Sequence, residues 1–286
     1  MGKDKAPADL TLKRVLGTRP YEYDQDRERV EHGDAAVFCI ELWGGPILAL
    51  VDTVFSCDDI ATKIWFREMG SLARNHRLRA PLVAGLVALR GRAPSGSPWE
   101  SVRARGHPQH PDNPIRCVVI CVGGSHAIMY QPVGKDAGGV LAFEDKMLVL
   151  REFLGDGRVT VACLGAAEVT RKLAGEWGLH VARPAELTDL FARAHGDIDK
   201  IPGVEPWKVP GSRLLPKAID GVSIEYMARV ALGPEMRLAP TPASVGAADW
   251  GGHDLTCNDW LYATRDAYLC FDIAAHCLAK LGTHIG

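Results

Sequence analysis

The nine residues Pro81-Leu82-Val83-Ala84-Gly85-Leu86-Val87-Ala88-Leu89 contain no polar side chain. That is half of the ~18 apolar residues a membrane span requires, and it is the length of a strand. A strand that is apolar at every position, rather than at alternate ones, has both faces buried. The chain must therefore build a sheet and cover both of its sides.

The surrounding sequence supplies the other elements. AVFCIEL and PILALVDTVF flank Trp43-Gly44-Gly45 and predict a hairpin. A helix follows, with Ser56 as its expected cap, Asp58 and Asp59 in its first turn, and Ile60, Ile64, Met69 and Leu72 on one face. IRCVVICVG and SHAIMYQP, joined at Gly123-Gly124, predict a second hairpin. Helices are expected over 143–155, 166–178, 185–194 and 222–233, with strands over 158–165 and 179–181. A last long helix runs from a Thr256 cap, with Asp259 in the capping-box position, to Gly282. Residues 90–114 read as a long exposed loop, as do the proline-rich stretch 197–220 and the segment before the last helix. Hairpins followed by alternating strands and helices predict an α/β fold, a mixed sheet flanked by helices. Residues 1–34, charged and poor in large apolar groups, read as a flexible lead-in to one domain over 35–286.

With 47% apolar and 24% charged residues among 286, the chain can bury a substantial core. Its 33 basic and 35 acidic residues give a net charge of −2, so any nucleic-acid contact must come from a local patch. The eight cysteines form no Cys-x-x-Cys pair and read as small buried hydrophobes. No run is apolar enough for a membrane span or a signal peptide, and Ala6 spoils a myristoylation signal. The expected location is the nucleus, the cytoplasm or both, without membrane contact.

Five segments, in order, resemble the RNase H-like 3′–5′ exonuclease domain, in particular the plant Werner-syndrome-type members of the DEDD class with a catalytic tyrosine. LTCNDWLYATRDAYLCFDI resembles the family's third motif, Tyr-x-x-x-Asp, with Tyr262 and Asp266 in place. ADWGGHDLT resembles its Ser-Asp-Trp loop, and GVSIEYMARVALG the helix before that loop. NPIRCVVICVG resembles its second strand, and RVTVACLGAAEVTRKLAGEWGL its second motif. The resemblance implies an RNase H-like fold and phosphodiester hydrolysis by two magnesium or manganese ions. Such ions lie roughly 3.5–4 Å apart, one activating water and one stabilising the leaving oxygen. It also implies four carboxylates to hold them and a tyrosine to position the water.

Three of those carboxylates are missing. The family's first motif, with its Asp-x-Glu, aligns with Ala84 to Arg90 and places Val87 and Leu89 at the acid positions. In the second motif Val169 precedes Thr170-Arg171-Lys172-Leu173 where the family has Asp. Apolar side chains cannot coordinate a hard cation, so neither activity nor a bound cofactor is expected, and Asp266 is at most a remnant ligand. Asp266 is then free to pair with a basic neighbour, and Tyr262 to pack. Two acids stand near enough in sequence to be considered as replacements, Glu41 and Glu168. Arg90, Arg92, Arg103 and Arg105, with Arg116, Trp99, His107 and His110, border the inherited cleft and are candidates for binding single-stranded or 3′-end nucleic acid. Three functions remain open: a silent domain retained to bind nucleic acid or protein, an active exonuclease with a rebuilt site, and a protein scaffold pairing with an active paralogue.

Overall fold

The computed structural model describes residues 10–15, 36–43, 47–56, 59–74, 82–91, 112–131, 147–196, 223–233, 241–251 and 255–282. Eight strands form one sheet: β1 (Leu10–Val15), β2 (Ala36–Trp43), β3 (Ile47–Ser56), β4 (Leu82–Arg90), β5 (Ile115–Val122), β6 (His126–Tyr130), β7 (Val159–Cys163) and β8 (Pro184–Glu186). Their order is β1-β2-β3-β6-β5-β4-β7-β8. In the half β6-β5-β4-β7-β8, β5 runs against both neighbours while β4, β7 and β8 are parallel. That is the RNase H-like mixed sheet. The antiparallel strands β1 to β3 extend it, because β3 pairs in parallel with β6.

The described residues form the helices α1 (Asp59–Arg74), α2 (Leu148–Gly155), α3 (Ala166–Trp177), α4 (Leu187–His195), α5 (Ile224–Ala231), α6 (Ala243–Gly246) and α7 (Cys257–Lys280). Strand β4 divides the core as alternation requires. Leu82, Ala84 and Leu86 pack with α1, α2 and α3; Val83, Val87 and Leu89 pack with α4, α5 and α7. Position 85 sits beneath α7: a Cβ there would lie 2.1 Å from the Ala267 carbonyl oxygen and 2.3 Å from the Phe271 nitrogen. Only glycine lets this helix settle so closely on the central strand.

Both expected hairpins form, and the last helix is capped as its sequence indicates. The Asp259 amide donates to Thr256 Oγ1 at 3.4 Å, while Asp259 Oδ2 accepts from the Thr256 amide at 2.7 Å.

Four expectations change. Residues 10–15, placed in the flexible lead-in, are edge strand β1; the rest of 1–34 lies outside the described residues. Ser56 is the last residue of β3, and its side chain, like those of Ile60, Ile64 and Leu72, lies outside the described ones; the buried side of α1 includes Trp65 and Phe66 beside Met69. Residues 179–181 are not a strand. The Leu179 amide donates to Leu173 O and the Gly178 amide to Ala174 O, so they close α3 with Gly178 at φ 63°, and the parallel strand forms later, at β8. The loop before the last helix contains the single turn α6.

Candidate functional site

Helix α7 is buried around most of its girth, with Ala263 through Cys270 inaccessible in sequence. A helix in that position cannot leave a charge unpaired, since an isolated buried ion costs far more than a lost hydrogen bond. Arg265 and Asp266 satisfy one another. Arg265 Nε donates to Asp266 Oδ1 at 2.8 Å, and Nη2 lies 2.7 Å from the same oxygen. Nη2 also donates to Thr241 Oγ1 at 2.9 Å, in the segment leading into α6. The guanidinium carbon stands 4.7 Å from the centroid of the half-buried Tyr262 ring, within cation–π range. The two charged side chains are 3% and 0% exposed, so solvent screens little of their attraction.

Val87 and Leu89 share the apolar cluster of α7, against which Tyr262 packs. Val169 does not. With Ala166, Leu173 and Trp177 it forms the apolar stripe of α3, in the cluster on the opposite face of the sheet. The structure therefore brings Val87 and Leu89 together with α7 and leaves Val169 behind the sheet.

Glu41 does not sit on the central strand. It lies on β2, four strand spacings from β4, or roughly 19 Å. Glu168 pairs with Arg90 at 3.1 Å, next to Leu89 in the chain. That pair belongs to a polar seam at the end of β4. Arg90 Nη1 and Lys172 Nζ both donate to Asn113 O, at 3.3 and 2.8 Å. Glu176 accepts from the Ile115 amide at 2.7 Å and pairs with Lys172 at 3.2 Å. Arg116, half-buried on β5, is held below the usual arginine range by desolvation, against the opposing pull of Glu176 and Asp249. The Trp250 amide donates to Arg90 O, and Gln131 Nε2 to Trp250 O at 2.9 Å, which ties the Asp-Trp-Gly turn over the same end.

Arg90, expected to meet nucleic acid, is thus the last residue of a strand, with its side chain 11% exposed and engaged within the molecule. Arg92, Arg103 and Arg105 lie outside the described residues, as do Trp99, His107 and His110.

The sequence expects a basic neighbour for Asp266, and Arg265 is that neighbour; the sequence does not signal Thr241 or Glu186. Glu186 accepts from the Gly165 and Ala166 amides, at 3.2 and 2.6 Å, and so occupies the positive end of α3 from across the β8 junction. Glu186 has no local spacing signal, because it meets α3 through tertiary contact, and the same holds for the Arg265 contact with Thr241. Cys270, wholly buried behind Asp266, has its thiol pushed well above the usual range by that burial, which makes it inert as a nucleophile or ligand.

The donor set does not fit a two-metal site. Val87, Leu89 and Val169 carry no donor atom, and Asp266 is already committed to a cation. Among the described residues no three His, Cys, Asp or Glu side chains converge where a metal could be held. No described helix is long and apolar enough to cross a membrane.

No protein-family model matches the sequence, and no curated protein does. Solved structures do. The exonuclease domain of EXD2, soaked in manganese, aligns at 16% identity and a TM-score of 0.35 over 80% of this chain and 90% of its own. The catalytic core of RRP6 from Trypanosoma brucei aligns at 10% identity and a TM-score of 0.47, over 81% of this chain and 48% of its own. The RNase D of the same organism, complexed with RNA U12, aligns at 11% identity and a TM-score of 0.45, over 78% of this chain and 66% of its own.

Proposed function

We propose that this chain is a catalytically silent domain of the plant Werner-syndrome exonuclease type, kept as a nucleic-acid-binding module in the nucleus or cytoplasm. One observation carries the proposal. The surviving motif acid, Asp266, is buried and ion-paired with Arg265, in a cluster where the first-motif acids have become Val87 and Leu89. Hydrolysis through two metals needs carboxylates that no described residue there supplies. Binding is assigned to Arg92, Arg103 and Arg105, which follow β4 in sequence and whose guanidinium groups suit phosphates and stacked bases.

The test uses the purified full chain with magnesium or manganese and labelled single-stranded and 3′-recessed substrates. The expected result is no shortening, together with binding that weakens as salt rises, because phosphate contacts release counterions. Replacing Arg92, Arg103 and Arg105 by Ala should remove most of that binding. Arg90→Ala should leave it, since Arg90 is held by Glu168 and Asn113. Shortening that Asp266→Asn abolishes would mean a rebuilt active site. Absence of salt-dependent binding would mean a protein scaffold, such as a partner for an active paralogue.

A further inference from the structure

In a two-metal exonuclease, four carboxylates balance two divalent ions. Here the Asp266 carboxylate is paired with the Arg265 guanidinium. We propose that Arg265 serves as the domain's built-in cation, taking over at Asp266 the charge-neutralising part that a divalent metal plays in active relatives. The inference rests on the reading of the chain as a degenerate exonuclease-type domain.

The geometry is that of a site, not of a chance neighbour. The guanidinium places two nitrogens on one carboxylate oxygen, at 2.8 and 2.7 Å. It donates at 2.9 Å to Thr241, which belongs to a different element of the fold. Its carbon lies 4.7 Å from the ring centroid of Tyr262, the other surviving motif residue. Both residues that the resemblance marks as catalytic are thus engaged by the same cation. Arginine suits this role because its charge persists even when buried and its planar fork meets carboxylate and ring together. Such a domain needs no metal to complete its fold, so whatever it binds is bound in chelator and in magnesium alike.

The experiment is a cycle of melting temperatures on the full chain, comparing wild type, Arg265→Ala, Asp266→Leu and the double variant. Manganese binding is read in parallel from water-proton relaxation. Each single variant leaves a buried charge without its partner and should melt roughly 6–20 °C lower. The double variant removes both charges and should regain at least half of the larger loss. Guanidinium chloride at low millimolar concentration should raise the melting temperature of Arg265→Ala, while sodium chloride at equal ionic strength should not. Wild type should melt identically in EDTA and in manganese and show no relaxation enhancement.

Additive losses in the double variant overturn the proposal. So does a manganese site in wild type that Asp266→Leu removes. If neither single variant folds, a double variant that folds supports the coupling, and one that does not fold overturns it. Nuclease activity in the same wild-type sample decides separately. Manganese binding without activity rejects the built-in cation alone, whereas activity rejects the silent reading on which it stands.

Discussion

Gly85→Ala tests whether the final helix rests directly on the central strand. The added methyl would lie 2.1 Å from Ala267 O, 2.3 Å from Phe271 N and 2.9 Å from Phe271 Cα. The first two atoms are four residues apart on α7, so the methyl drives into the backbone hydrogen bond that joins them. Comfortable carbon contacts begin near 3.5 Å, so strand and helix must separate by about 1.4 Å. Side-chain rotation cannot relieve a clash with backbone. Helix α7 also has no room to retreat, because α4 and α5 pack behind it in the same cluster. Overpacking typically costs about 1–3 kcal/mol and sometimes more; backbone against backbone belongs at the upper end. Stiffening the unfolded chain returns only about 0.4–1 kcal/mol. The expected net loss is about 2–2.6 kcal/mol, or a melting temperature lower by roughly 4–10 °C. Urea denaturation followed by circular dichroism measures it. Gly175→Ala is the control, since it lies in α3 with nothing within 4 Å of the new Cβ, and it should stabilise by up to about 1 kcal/mol. A loss below about 1 kcal/mol for Gly85→Ala would refute the close seating of α7 on β4.

Other perturbations follow from the same structure. Leu89→Glu places a carboxyl at a position with 0% exposure, where burial raises its pKa by about 3–5 units. The folded form then holds the proton longer, so the variant should lose about 1.4 kcal/mol per pH unit above the ordinary glutamate range; equal loss at pH 5 and pH 8 would contradict this. Thr256→Ala removes half of a capping box and should cost about 1 kcal/mol in urea melts. Desolvation raises the Asp272 carboxyl, against the hydrogen bond from Tyr268 and the charge of His276. That acid therefore costs stability at neutral pH and not below the ordinary aspartate range, so Asp272→Asn should stabilise at pH 7 and lose its advantage in acid. Calorimetry at the two pH values would show it.

What the sequence made legible was local. The unbroken apolar run of β4, the Gly-Gly turn of the second hairpin and the Thr256–Asp259 box each declare themselves within a few residues, because periodicity and capping are short-range effects. What it concealed depends on distance. Arg90 opens an arginine-rich stretch and so looks solvent-bound, yet its partner Glu168 lies 78 residues away. Thr241 meets Arg265 across 24 residues, with nothing in either neighbourhood to announce the contact. Residues 10–15 alternate apolar and polar too briefly to stand out beside the charged segment that surrounds them. Leu179 and Val181 are apolar, which reads as a short strand, but the preceding helix needs a left-handed glycine and a closing amide, and Leu179 supplies the latter. In the candidate site, the apolar character of Val87 and Leu89 on β4 could be read directly. A basic partner for Asp266 was legible too, but the reach of the Arg265 guanidinium to Thr241 was not.

The parallel pairing of β3 with β6 bears on how the chain avoids sticking to itself. Without β3, β6 would be the rim of a five-stranded sheet, exposing a row of backbone donors and acceptors between buried apolar side chains, Ala127 to Tyr130. Such rims recruit strands from other molecules. During synthesis the β2–β3 ribbon emerges first, so its guard is available by the time β6 leaves the ribosome. Proteolytic trimming that left α1 as the first element would strip that guard, and the product should associate rim to rim and precipitate while its helical face remained intact.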